Sequence, residues 1–213
     1  MARLNLFLIT PAIPDASAFA PALRAVMAAA PVAAVLLNIP AKDEKDFLRA
    51  AKLLVPPVQE GGAAALLAAP ADPRLVAYAG ADGAHYPCTH AGLADAIQTL
   101  KPKSIVGVGA LKARHEAMEA GESDIDYLMF GEPRADGSIP DTERTVERAQ
   151  WWAEIFNTPA VAVAADLASV SAMVATGAEF LGVGPWLFAA ADPAATLAEV
   201  VRLAGVKDQG DKT

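Results

Sequence analysis

The chain has 213 residues, 54% hydrophobic and 20% charged, which gives enough apolar surface for one substantial core. Its formal net charge of -8 argues against a nucleic-acid or anionic-membrane surface, since both need clustered Lys and Arg. A single cysteine, Cys88, excludes a disulfide framework within the chain and fits a reducing, cytoplasmic compartment.

The opening stretch MARLNLFLITPAIPDA holds an apolar run too short and too interrupted for a signal peptide. That run, Leu4 to Ile9, reads as a first strand, and Asp15 then starts a helix to about Ala29. Val32 to Leu37 is the second strand. The uncharged stretch around it, 25–41, contains Pro31, Asn38 and Pro40 and falls short of a membrane span. Asp43 opens a helix with Phe47, Leu48, Ala51 and Leu54 on one stripe, which Pro56 and Pro57 are expected to interrupt before Gly61 and Gly62 close it.

Ala63 to Ala69 is the third strand, followed by a short helix over 72–79. A fourth strand runs from Ala81 to His85, and Thr89 caps a helix ending near Leu100. Ile105 to Gly109 is the fifth strand and 113–120 a helix. Asp126 to Phe130 is the sixth, and Asp141 opens a long helix through Trp151, Trp152 and Phe156. Pro159 to Ala164 is the seventh, with Asp166 capping a helix that ends at Gly177. Phe180 to Gly184 is the eighth, and Asp192-Pro193 begins the last helix. Residues 206–213 form a polar tail.

The strands are nearly continuous apolar runs, as strands buried on both faces must be. Eight strand–helix units in 213 residues predict a single closed (β/α)₈ barrel, a TIM barrel. No G-x-G-x-x-G follows the first strand, so a doubly wound open sheet is the weaker alternative.

A barrel of this kind builds its site at the C-terminal strand ends. The candidates are Thr10, Asn38, Pro70 with Asp72, and His85, Cys88 and His90, then Gly109 with Lys112, Gly131 with Glu132 and Arg134, Asp166, and Gly184 with Trp186. Asn38, His85, Lys112, Arg134, Gly184 and Trp186 are the expected ligand-binding residues, and Glu132, His90 and Lys112 the candidate catalytic groups. Lys112 and Arg134 are the remaining cations able to hold an anion at the mouth, or else solvated loop residues. His85, Cys88 and His90, in HYPCTH, could ligate a transition metal, but the spacing matches no common structural zinc pattern, and we expect none. Trp186 either stacks on a flat heterocycle or packs. One of Trp151 and Trp152 is expected on the barrel wall and the other at a subunit contact, in a homodimer. Asp82 is expected to hydrogen-bond at the barrel rim.

The stretches LNLFLIT, GADGAHYPC, SIVGVGAL, DYLMFGEP, TPAVAVAADL and TGAEFLGVGPWLF occur in order across nearly the whole chain. Together they resemble the thiamine-phosphate synthase and thiazole-tautomerase superfamily. The resemblance implies a barrel that joins a hydroxymethylpyrimidine diphosphate to a thiazole phosphate, with magnesium and cationic side chains stabilising the departing diphosphate.

Set against that resemblance, several positions depart. The family's cations after the second strand fall on Asn38 and Pro40, and its Asn-Asp pair after the third on Pro70 and Ala71. The Asp that helps hold magnesium falls on His90, and the threonine-rich loop after the sixth strand on a stretch with Arg134, Asp136 and Ser138. The Gly-Gly after the seventh strand becomes Ala164-Ala165, and the Ser of the last phosphate turn becomes Pro185, which has no N–H to donate. Magnesium is thus implied by the resemblance while its ligands are not retained. The expected function is a thiamine-phosphate-synthase-like protein binding a thiamine-related heterocycle or its phosphate, with altered or lost catalysis. The alternatives are an enzyme of related chemistry and a non-catalytic metabolite-binding or partner subunit. A tautomerase needs a His in the loop after the fifth strand, and His115 in GALKARH lies too far along.

Overall fold

The computed structural model describes residues 4–134 and 137–205. Eight strands alternate with eight helices in chain order: β1 Asn5–Ile9, α1 Ala16–Ala29, β2 Ala34–Leu37, α2 Glu44–Glu60, β3 Ala64–Ala68, α3 Leu75–Ala79, β4 Gly83–Pro87, α4 Leu93–Leu100, β5 Ile105–Gly109, α5 Arg114–Gly121, β6 Tyr127–Phe130, α6 Thr142–Ile155, β7 Ala160–Ala164, α7 Val170–Val174, β8 Phe180–Val183 and α8 Pro193–Ala204. Every strand pairs in parallel with the next, and β8 closes on β1 with Asn5 opposite Phe180 and Leu8 opposite Val183. The (β/α)₈ barrel read from the sequence is the fold.

Local chemistry sets the helix starts. The carboxylates of Asp15, Asp43, Asp141 and Asp192 each accept from a backbone N–H in the first turn of α1, α2, α6 and α8. At the N-terminal rim a second device repeats. Asp82 accepts from the amide of Ala65 at 2.8 Å, Asp126 from Val106 at 2.7 Å and Glu179 from Ala160 at 2.8 Å. Each carboxylate just before an even-numbered strand thus secures the start of the odd strand preceding it. Asp82 plays the rim role expected of it, and Lys101 adds an ion pair to Asp126 at 2.7 Å.

Four local expectations need correction. The α2 helix runs straight through Pro56 and Pro57, because Leu54, Val55 and Val58 on either side are buried and their packing outweighs the missing N–H bonds. β4 lies two residues later than expected, since Asp82 is spent at the rim. Thr89 does not cap α4, which starts at Leu93 after a turn closed by the Leu93 amide on the His90 carbonyl. The helices after β3 and β7 shrink to five residues each. Asp72 folds back on the Arg74 amide, and Asp166 closes its own turn with Ser169, so neither starts a helix.

Two apolar layers result. Between sheet and helices lies the larger one, containing Leu6, Leu8, Leu37, Leu67, Leu128 and Trp152. Trp152 is the wall-packing member of its pair: its indole donates to Thr158 O at 2.8 Å and stacks on Phe156 at 3.9 Å. Trp151 is half-buried beneath the Arg114 guanidinium, 4.8 Å from its ring. Inside the barrel sit Phe7, Ile9, Leu36, Leu66, Tyr127, Met129, Val161 and Val163.

Tyr127 occupies the barrel axis only because β5 presents glycine there. A Cβ on Gly107 would lie 2.0 Å from Tyr127 Cζ. We expect Gly107→Ala to cost at least about 1–3 kcal/mol by overpacking, read from urea denaturation. Tyr86 points the other way, fully buried between sheet and helices, and its hydroxyl has no partner among the described residues. Burial pushes its phenol up to about 12. The folded state therefore holds this proton more tightly than the unfolded chain, and stability is lost as pH rises from the ordinary tyrosine range near 10 through that value. Tyr86→Phe is expected to be neutral or up to about 1 kcal/mol more stable at pH 8, with its advantage widening at pH 11 in paired urea melts.

Candidate functional site

The mouth of the barrel is shaped by absent side chains on β5. Gly109 faces inward one step above Gly107, and a Cβ there would lie 2.5 Å from Glu132 Oε2 and 2.6 Å from His85 Nε2. The space lets three polar side chains meet on the axis. His85 Nδ1 lies 3.0 Å from the Tyr127 hydroxyl, and His85 Nε2 lies 2.8 Å from Glu132 Oε2. His85 is 5% exposed and Glu132, at the outer end of the chain of bonds, is 18% exposed by its side chain. Burial first, and then the negative field of Glu132, pushes the Tyr127 phenol well above its usual range. Tyr127 therefore keeps its proton and donates to Nδ1, so Nε2 carries the imidazole proton and donates to Glu132. Glu132 is consequently not a lone carboxylate, as its sequence context suggested. It is the solvent-side end of a tyrosine–histidine–carboxylate chain able to pass a proton toward a bound ligand.

Around this chain lies a cavity of about 580 Å³. Asn38 stands exposed on the β2 end, its amide held by the buried Thr10 hydroxyl at 3.0 Å. Trp186 lies across the β7–β8 seam, its indole donating to Ala164 O at 2.9 Å, with Gly184 leaving room for the ring. Arg134 reaches the rim, where one guanidinium nitrogen donates to Ser138 Oγ at 3.1 Å. Asp136 lies outside the described residues. The backbone at three strand ends is left-handed: Ala69 at φ 39°, Ala110 at φ 56° and Gly131 at φ 87°. For the two alanines this is a conformation that concentrates at functional sites.

The turns after β7 and β8 use their own donors. The Asp166 amide donates to Ser169 Oγ, and Pro185 opens a 3₁₀ turn over Pro185–Leu187 whose Leu187 and Phe188 amides bond back to Gly184 and Pro185. Asp166 itself is exposed and accepts from the Ser169 amide.

The structure separates the histidine–cysteine cluster. Strand alternation points His85 inward and Tyr86 outward, and the His90 ring lies over Tyr86 at 4.9 Å. Cys88 Sγ lies 3.6 Å from Ala110 O, and burial pushes its thiol up, away from the thiolate a metal requires. Among the described residues no three His, Cys, Asp or Glu side chains come together to hold a metal. Magnesium, implied by the resemblance, does not fit the donors present. It needs oxygen ligands in near-octahedral geometry, whereas Ala71 offers none, His90 offers nitrogen, Asp72 is paired with Arg74 and Glu132 with His85.

Sequence reasoning singled out His85 and Glu132 but not Tyr127, which reads as an ordinary core strand residue. Lys112 lies to one side of the mouth, exposed on the β5–α5 loop, its amide tied to Glu116.

Comparison with known proteins agrees with this fold. The family described as Thiamine monophosphate synthase matches residues 6–187. The thiamine-phosphate synthase of Rhodospirillum centenum is 36% identical over 207 residues, covering 95% of this chain and 99% of that protein. That of Hyphomonas neptunium is 33% identical over 196 residues, 86% of each. The thiamine phosphate pyrophosphorylase structure from Pyrococcus furiosus superposes with a TM-score of 0.77 at 19% identity, over 95% of this chain and 96% of that one, a likeness of fold. No helix among the described residues is long and apolar enough to cross a membrane. By the match of its sequence over most of its length, the chain belongs to the thiamine monophosphate synthase family.

Proposed function

We propose that this family member binds a thiamine-related heterocycle or its phosphate in the barrel mouth, with the magnesium-assisted diphosphate transfer of the resemblance altered or lost. The observation that carries this reading is the pairing of Glu132 with His85 at 2.8 Å. The carboxylate that lines the mouth among the described residues is committed to an imidazole, and no partner carboxylate stands beside it to hold a hard cation. Asn38 and Pro40 stand where the resemblance places cations, so a departing diphosphate would find little neutralising charge on that side.

What the mouth retains suits recognition. Trp186 offers a flat apolar face, and His85 and Glu132 offer a donor and an acceptor beside it. A proton can pass between a ligand nitrogen or hydroxyl and Glu132, with His85 and Tyr127 stabilising the charge behind it. The reading carries with it a cytoplasmic homodimer and a small-molecule ligand, with no nucleic-acid or membrane partner. Trp151 beneath Arg114 supports a subunit contact, being a large aromatic left half-buried on the helical layer.

The test combines activity with binding. Purified protein given magnesium, hydroxymethylpyrimidine diphosphate and thiazole phosphate is expected to form no thiamine phosphate, and turnover within about tenfold of a typical 10 per second would overturn the loss of the transfer reaction. Thiazole alcohol, thiazole phosphate and thiamine phosphate, screened by thermal shift and then calorimetry, are expected to yield at least one binder. His85→Ala should weaken it about tenfold, the worth of one buried polar contact, while Lys52→Ala on α2 leaves it unchanged.

A further inference from the structure

A second cavity, of about 810 Å³, lies over the ends of β4, β5 and β6 and opens beside the mouth, sharing Glu132 and Arg134 with it. Its lining is unusual for this chain. The whole sequence carries 25 acidic residues against 17 Lys and Arg. Yet Lys112, Arg134, Arg144 and Arg148 all line this one hollow, with Glu132 as the carboxylate among its described lining residues.

The nearby negative charges are already spent. Glu132 accepts from His85, Glu116 accepts from the amides of Lys112 and Ala113, and Asp141 caps α6 by accepting from the Arg144 amide at 3.0 Å. The helix start is thus satisfied by its own cap, and any attraction in the cavity comes from side chains. Arg148 is fastened in place, donating to Leu111 O at 3.2 Å and to Lys112 O at 2.5 Å. Those bonds pin the β5–α5 loop against α6 and fix one positive charge at the wall. The Lys112 ammonium and the Arg144 guanidinium, from opposite walls, make no hydrogen bond or ion pair among the described residues. Cationic groups gathered in one concavity repel each other, and an anion between them removes that cost.

We propose that this cavity is an anion subsite taking a phosphoryl or diphosphoryl group, with Lys112 and Arg144 as its direct ligands and Arg148 as the fixed charge behind them. It rests on the proposed function only in assigning that group to a ligand whose ring lies in the mouth. The site has its own chemistry, without magnesium, because ammonium and guanidinium groups supply the positive charge directly.

The experiment is calorimetric titration of inorganic diphosphate, and separately of phosphate, into the full chain without divalent cations, at low and high salt. Wild type is expected to bind diphosphate more tightly than phosphate, with affinity falling as salt rises. Lys112→Ala and Arg144→Ala, both at exposed side chains, should each weaken diphosphate about tenfold, and Lys52→Ala on the far side of the barrel should not. Circular dichroism confirms that each variant is folded. No diphosphate binding at millimolar concentration, or binding indifferent to both variants, overturns the subsite. A thiazole alcohol without phosphate separates the two readings. Its binding with no diphosphate binding overturns the subsite and spares the mouth, whereas diphosphate binding with no heterocycle binding supports the subsite and overturns the mouth.

Discussion

The geometry of the mouth depends on what β5 leaves out. Gly107 and Gly109 are successive inward positions on one strand, and the volume they vacate is taken by Tyr127, His85 and Glu132 from the strands on either side. Two absent side chains therefore place a polar chain along the axis of an otherwise apolar barrel interior. A buried polar group is tolerable only when its bonds are made. Here His85 has both ring nitrogens engaged, which fixes its tautomer and its orientation together. The rest of the interior, from Phe7 to Val163, packs around that fixed column.

Much of this was legible in the sequence, and the failures have physical causes. Continuous apolar runs gave away all eight strands, because only a sheet covered on both faces can bury them. Asp15, Asp43, Asp141 and Asp192 marked helix starts through short-range bonding that needs no tertiary context. Asp72 and Asp166 look the same in sequence yet close isolated turns, because their carboxylates found a neighbour two or three residues away before a helix could form. The displacement of β4 arose from Asp82, whose bond to Ala65 is a contact between strands that no local window contains.

The site was harder to read. His85 and Glu132 were visible as strand-end residues, but their contact spans 47 positions. Tyr127 was hidden among apolar neighbours. The usable signal was the spacing of Gly107 and Gly109, since alternate glycines in a buried strand mean that something large fills the space opposite. Arg144 and Arg148 read as the solvated face of α6, and only the β5–α5 loop folding against that helix turns them toward a shared hollow.

The rim also stores elastic energy. Ala69 and Ala110 sit in left-handed backbone at the ends of β3 and β5, where an L-residue costs roughly 1–2 kcal/mol that glycine would not. Each behaves as a loaded spring held shut by the surrounding loop contacts, in the Ala69 case its amide on His85 O at 2.8 Å. A guest that lets either hinge relax recovers that torsional energy as affinity, roughly tenfold per spring. The entrance thus rests under tension, and ligand selectivity can be set by how the rim uncoils as much as by what the walls touch.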